Sequence, residues 1–297
     1  MNINYYQSDR IREALMKNKI IINICIILSF VIIIILAASY ELMGGVKKDI
    51  NSSKKFMSQL YSIEAIDTTY NLNDLNYEKV KTINSQNELV NKTIVNENYG
   101  IDLDKHNNIV GFTKRDIKKG ITKISEEEAR QKSEQYLSEI CSGDELVYEE
   151  INEDDNLPYY SFIYKKKENG YKLYFEEIKI NINKENGYMD GYSNSTMQKN
   201  CTKPEIKISK EEADGIAYEY YSKYNIEIQV ENDYELVYAD NRMSNEQNND
   251  LEVCYLINVE VKNSEGSDIN YKVFINADTG EIYNSINDNT ENKVSAY

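Results

Sequence analysis

The feature that most constrains how this chain can fold is an internal repeat. Residues 124–129 read ISEEEA and residues 208–213 read ISKEEA. In each, a serine precedes a glutamate by three positions: Ser125 with Glu128, and Ser209 with Glu212. This is capping-box spacing, in which the hydroxyl accepts from the N3 amide and the carboxylate accepts from the N-cap amide. Each hexapeptide therefore opens a helix. The second helix carries Ala213, Ile216, Ala217, Tyr220, Tyr221 and Tyr224, an apolar stripe at i, i+3, i+4 and i+7. The first is sparser, with Ala129, Tyr136, Leu137 and Ile140. The tetrapeptide ELVY follows each helix, at 145–148 and at 235–238.

Strand-like runs complete each unit. In the first, residues 159–166 turn at Glu168-Asn169-Gly170 into YKLYFEE, and residues 178–192 follow. In the second, residues 251–263 are followed by 269–286. Asn186-Gly187 and Thr279-Gly280 sit between strand runs, where glycine supplies the positive φ of a hairpin turn. The repeat thus spans about 124–194 and 208–286. Upstream, residues 99–114 also read strand, polar turn, strand. Val46, Ile50, Met57, Leu60 and Tyr61 have helical spacing before them. That stretch is either a degenerate first copy or a helical stalk with an edge hairpin.

Residues 20–38 are apolar except for Asn23 and Ser29. As a helix, nineteen residues rise about 28 Å, near the thickness of a bilayer core. A cleaved signal has a shorter apolar region, and Ser39 stands where a lipoprotein would need Cys. The expectation is an uncleaved anchor. Flanking charge does not orient it, because Lys47, Lys48, Lys54 and Lys55 balance Arg10, Arg12, Lys17 and Lys19. The expected layout is a cytoplasmic tail (1–19), a transmembrane helix (20–40), a juxtamembrane helix (41–68), a degenerate module or edge hairpins (69–118), and modules at 119–200 and 203–290.

The net charge of −16 argues against nucleic acid as a partner; it reads first as a solubility feature, with basic partners or bound cations as the alternative. His106 is the only histidine, which removes Ser-His-Asp and Cys-His sites within one chain and H-E-x-x-H zinc sites. No phosphate-binding glycine motif is present. Asp102, Asp104 and Asn107 form only part of a calcium-loop pattern, since His106 fills its fifth position. Asp278 reads as the cap of its own turn. The acidic runs 126–128 and 153–155 read as a helix N-terminus and an exposed loop. Cys141, Cys201 and Cys254 lie outside the apolar segment, and their spacing selects no disulfide pair. No catalytic, cofactor-binding or metal-binding residue is assigned, and no cofactor is expected.

The ISxEEA helix followed by strands and the closing INADTGEI turn (275–282) resembles the PepSY module. Residues 160–187 are similar to the related YcdB/YcdC repeat of Gram-positive bacteria. The resemblance spans roughly 120–290. It implies an α+β fold: a single N-terminal transmembrane helix followed by tandem αβββ modules, cystatin-like, with antiparallel sheets. The layout is similar to that of YpeB-like members, with the N-terminus cytoplasmic and the C-terminal domain extracytoplasmic. It further implies a non-catalytic, membrane-anchored regulatory protein. Its partner would be a peptidase, a cell-wall hydrolase or a sensor protein. Two alternatives stay open: a sensor of wall fragments or cations, and a wall hydrolase using paired carboxylates.

Overall fold

The computed structural model describes residues 48–67, 76–78, 89–118, 120–152, 154, 156–196, 199–223, 227–243, 250–262 and 266–288. The chain divides into two units, Met1–Ser52 and Ser53–Tyr297. Of the first, residues 48–52 are described and are helical. All that follows concerns the second, which holds residues 53–62 of that helix.

Its pattern is a helix followed by a four-stranded meander, three times over. Helix α1 (48–62) precedes β1 (Asn76–Glu78), β2 (Lys92–Val95), β3 (Tyr99–Leu103) and β4 (Ile109–Lys114). Helix α2 (Glu126–Ile140) precedes β5 (Glu145–Asn152), β6 (Tyr159–Glu168), β8 (Ile178–Asn183) and β9 (Met189–Asn194). Helix α3 (Lys210–Ser222) precedes β11 (Glu227–Ala239), β12 (Asp250–Lys262), β13 (Asp268–Asn276) and β14 (Ile282–Asn287). Two short strands lie outside this pattern, β7 (Tyr171–Leu173) and β10 (Asn200–Cys201). Both capping boxes form as their spacing predicts, at Ser125 and Ser209.

Period-two alternation explains how the meanders face their helices. Tyr99, Ile101 and Leu103 of β3 and Ile178, Ile180 and Ile182 of β8 are buried on one face. They join Met57 and Leu60 of α1 and Ala129, Tyr136 and Leu137 of α2 in a single core. The pairing of β4 with β9 makes this possible, because it fuses the first two meanders into one sheet. A second core lies under α3, built from Ala213, Ala217 and Tyr221 against β12 and β13. The opposite face of that third meander is also apolar, and Tyr174 and Phe175 from the loop after β7 pack on it.

The joint between the two cores is β7. It closes a two-residue hairpin with β6 through Asn169 and Gly170, whose φ values are +51° and +85°. It then pairs in parallel with β11, Lys172 opposite Val237 and Leu173 opposite Tyr238. Leu173 is buried in the second core. The Lys172 ammonium lies 3.1 Å from Glu235 and 3.3 Å from Glu149. Beside the joint, Lys199 pairs with Glu176 at 3.1 Å and with Asp240 at 3.3 Å.

These observations correct the architecture expected from the sequence. The described residues form one mixed 14-stranded sheet with three helices, not a row of separate antiparallel αβββ modules. Parallel pairing occurs at β7–β11 and at β10–β12. The physical reason is that an isolated meander ends in unpaired N–H and C=O groups, and joining edges satisfies them. The apolar run read as a membrane helix, residues 20–38, lies outside the described residues. Among those described, no helix is long and apolar enough to cross a membrane. The ELVY repeat also misleads about register. Glu145–Tyr148 lies at the start of β5, opposite Tyr164–Lys167, whereas Glu235–Tyr238 lies near the end of β11, opposite Val253–Leu256. The two copies share strand propensity, not position.

The structural equivalence shows instead at the closing hairpins. Asn183 and Asn276 each end a strand, buried, with the side-chain oxygen accepting two backbone N–H groups of the turn that follows. Gly187 and Gly280 complete those turns at φ +74°. The carbonyl one residue after each asparagine, Lys184 and Ala277, accepts from the segment leading into α2 and α3 respectively. The hydroxyls of Tyr160 and Tyr255 donate to the Ile124 and Ile208 carbonyls of those same segments, at 3.3 and 2.9 Å.

Candidate binding edge

Strand β5 is eight residues long and pairs with β6 along one side. No described strand pairs with its other side. The pairing slips between Tyr148 and Glu150, a bulge that bends the strand after its first four residues. Glu145, Glu149 and Glu150 project from it, exposed.

Next to this edge, the C-terminal half of α2 and the first residues of β5 leave a cleft of about 410 Å³. Leu137, Leu146, Cys141, Tyr148 and Tyr164 form its walls, and Glu134, Ser138 and Asp144 its rim. The aromatic rings are fixed. Tyr148 and Tyr164 meet edge-on at 5.7 Å, and the Tyr164 hydroxyl shares a 2.5 Å hydrogen bond with Ser133. Burial pushes the Tyr164 pKa up to about 12. Burial also pushes up the Cys141 thiol, which lies 3.5 Å from the Tyr192 hydroxyl. A buried, protonated thiol is a poor nucleophile, so Cys141 is a wall of the cleft rather than a reactive group. The rim already attracts cations. The Arg130 guanidinium sits 5.5 Å above the Tyr148 ring and 3.1 Å from Glu134, and Lys166 lies 2.8 Å from Asp144.

Of the residues weighed for chemistry in the sequence, only Cys141 lines this cleft. His106 is exposed in the β3–β4 turn. Asp104 is buried and spends its carboxylate on the amides of His106 and Asn108 and on the Asn108 side chain. Asp102 accepts from the Thr93 hydroxyl at 2.6 Å on the sheet surface. Asn107 provides the positive φ of the turn, at +66°. This carboxylate set organises a hairpin, and among the described residues no group of three or more His, Cys, Asp or Glu is arranged to hold a metal ion. Asp278 does not cap its own turn. Asn276 does so, and Asp278 pairs with Lys207 at 2.7 Å. Glu126, Glu127 and Glu128 occupy the first turn of α2. Asp154 accepts from the Asn156 amide, while residues 153 and 155 lie outside the described residues. Cys141, Cys201 and Cys254 are free thiols, and Cys25 lies outside the described residues.

Residues 53–196 match the family described as the YcdB, YcdC repeated domain. That is just under half of the chain. The match takes in the first two meanders with their shared core and stops before α3. The resemblance drawn from the sequence was centred on 120–290 instead, because the first meander lacks a recognisable helix cap. No curated protein matches the chain. Among solved structures, the C-terminal domain of Bacillus megaterium YpeB is similar, with 21% identity and a TM-score of 0.46. The alignment covers 78% of this chain and 95% of that one.

The cleft itself was not singled out in the sequence. Its only trace there is ELVY at 145–148, whose alternation puts Leu146 and Tyr148 on one side of β5. Whether that strand is an edge depends on partners far along the chain.

Proposed function

We propose that this chain is a non-catalytic binding protein that acts by contact with another protein. The observation that carries the reading is the β5 edge, eight residues long, lying beside a half-apolar cleft. An exposed strand edge is a hazard unless it is blunted or used. The three exposed glutamates and the bulge discourage self-pairing, in keeping with the chain's net charge of −16. They do not explain the cleft beside it, which a partner side chain would fill. The resemblance of residues 53–196 to the YcdB, YcdC repeated domain, and the PepSY-like pattern of the sequence, suggest a peptidase, a wall hydrolase or a sensor outside the cytoplasm as the partner class.

Photo-crosslinking of the full chain in its own host tests this. The reactive residue is placed in turn at Glu149 on the β5 edge, at Lys179 on the open sheet face and at Tyr218 on α3. A discrete protein adduct at Glu149 supports the reading. No discrete adduct at any of the three positions overturns it.

A further inference from the structure

We infer that the β5 edge and its cleft take an extended segment in which a lysine or arginine is flanked by apolar residues. The inference rests on the binding reading above and adds the chemistry of the occupant. The fold holds its own precedent. Strand β7 adds itself to β11 with the sequence Tyr171-Lys172-Leu173. Its two apolar residues face the second core, with Leu173 2% exposed, while Lys172 reaches Glu235 on the strand it joins. Strand addition in this protein therefore already uses a cation against a glutamate and apolar neighbours against a helix-covered core.

The β5 edge repeats those requirements, and among the described residues no strand meets them. Glu145, Glu149 and Glu150 supply carboxylates along it. Leu137, Leu146, Tyr148 and Tyr164 supply the apolar side, and Glu134 and Asp144 close the mouth with negative charge. Helix α2 adds to this, because its last turn contains no basic residue and its C-terminal carbonyls carry the negative end of the helix dipole. The acids here have partners: Arg130 for Glu134, Lys166 for Asp144, Lys167 for Glu145 and Lys172 for Glu149. All of those contacts are at least partly solvent-exposed, and such pairs exchange at little cost. The Arg130 guanidinium over Tyr148 shows that this aromatic wall accepts a cation. An anionic segment would face repulsion from the rim carboxylates, and a wholly apolar one would gain nothing from them. A basic–apolar one meets both walls, and its backbone completes the edge by strand addition.

The test uses the full chain and two capped peptides, Ser-Tyr-Lys-Leu-Tyr-Ser and the same sequence with Glu for Lys. Binding is read by calorimetry and by amide hydrogen exchange. The lysine peptide should bind at least about tenfold more tightly, the discrimination expected when a charge partner is reversed at a partly desolvated site. It should slow exchange in 145–152 and leave 109–114 unchanged. The double variant Glu134→Gln, Asp144→Asn changes one exposed and one half-buried rim group without touching the core. It should lose most of that preference, and raising the salt should weaken the lysine peptide selectively. Equal binding of both peptides, or protection that falls outside β5, overturns the inference. If a crosslinked partner is still found at another position, the binding reading stands and only the occupant's identity falls. If no partner is found anywhere, both fall.

Discussion

Replacing Asn276 with alanine tests whether the closing hairpins hold the units together as described. Asn276 is 1% exposed. Its oxygen accepts from the amides of Asp278 and Thr279, both at 2.8 Å, and its NH₂ donates to Glu252 at 2.5 Å. Alanine removes all three bonds. Two neutral hydrogen bonds contribute about 1 kcal/mol each, and one to a carboxylate about 1.5–3 kcal/mol, less whatever solvent recovers at the half-buried Glu252. The expected loss is about 3 kcal/mol, or roughly 6–12 °C in the melting temperature of a unit of this size. Asn183→Ala should cost more. Its partner Asp190 has a fully buried carboxylate and would be left with Lys114 at 3.7 Å, whereas Glu252 keeps the Tyr283 hydroxyl at 2.7 Å. Asn276→Asp separates the contributions. It retains the turn acceptor but sets a carboxylate against Glu252. That repulsion raises the folded-state pKa of the pair, so the variant's deficit is full at pH 7 and narrows as pH falls toward 4. Asp104, which fills the corresponding place in the first hairpin, avoids the conflict because its neighbour is the Asn108 amide. Urea unfolding at pH 7 and pH 4.5 measures these differences. A loss below about 0.5 kcal/mol for Asn276→Ala, or a pH-independent deficit for Asn276→Asp, would refute the reasoning.

Leu173→Ala should destabilise by about 2–5 kcal/mol, since it empties a buried site at the β7–β11 joint. Hydrogen exchange should accelerate at β7 and β11 first and leave β3 and β4 protected. Ser133→Ala strands the buried Tyr164 hydroxyl and should cost about 1–3 kcal/mol, while the double variant with Tyr164→Phe should recover most of that loss, as read in a thermal double-mutant cycle. Burial holds the Asp190 carboxyl above its ordinary value of 3.8. The folded state therefore binds this proton more tightly than the unfolded state, so Asp190 lowers stability at neutral pH. Stability is regained as pH falls through the raised range toward 3.8, and Asp190→Asn should flatten that part of the stability–pH curve.

What the sequence reveals here is local. Both capping boxes, the Asn169-Gly170 hairpin and the turns at Gly187 and Gly280 follow from residue chemistry within a few positions, and the structure contains them. The first helix-plus-meander stays ambiguous in the sequence because α1 has no Ser-x-x-Glu opening and its strands are short. The long-range pairings were not legible. Nothing in Thr113 or Gly191 announces that β4 meets β9, and Tyr171-Lys172-Leu173 reads as the second half of a hairpin, not as a bridge to a strand some sixty positions later. For the same reason the two ELVY copies do not reveal their register. Identical tetrapeptides in strands of 8 and 13 residues fall at different registers, because register is set by the turn and the partner strand.

The candidate site depends on those unread pairings. The sheet has to resolve the edges of three meanders, and it does so unequally. The first and second are joined through their last strands, β4 and β9, and the third is attached through β7. Joining last strands leaves a first strand outward, and in the second meander that strand is β5. The cleft follows from the same asymmetry. In the third unit Tyr221 reaches across to Ser285 and its ring lies 5.0 Å from that of Tyr271, so α3 is seated closely on its sheet. In the second unit the shorter Leu137 stands at the matching turn of its helix, and space remains between α2 and β5. Substituting Leu137→Tyr should therefore fill the cleft from within. If contact with a basic extended segment is its use, that variant should fold, retain the β5 edge and lose the lysine peptide's advantage. If the variant keeps that advantage with the cleft filled, the recognition lies in the edge glutamates alone.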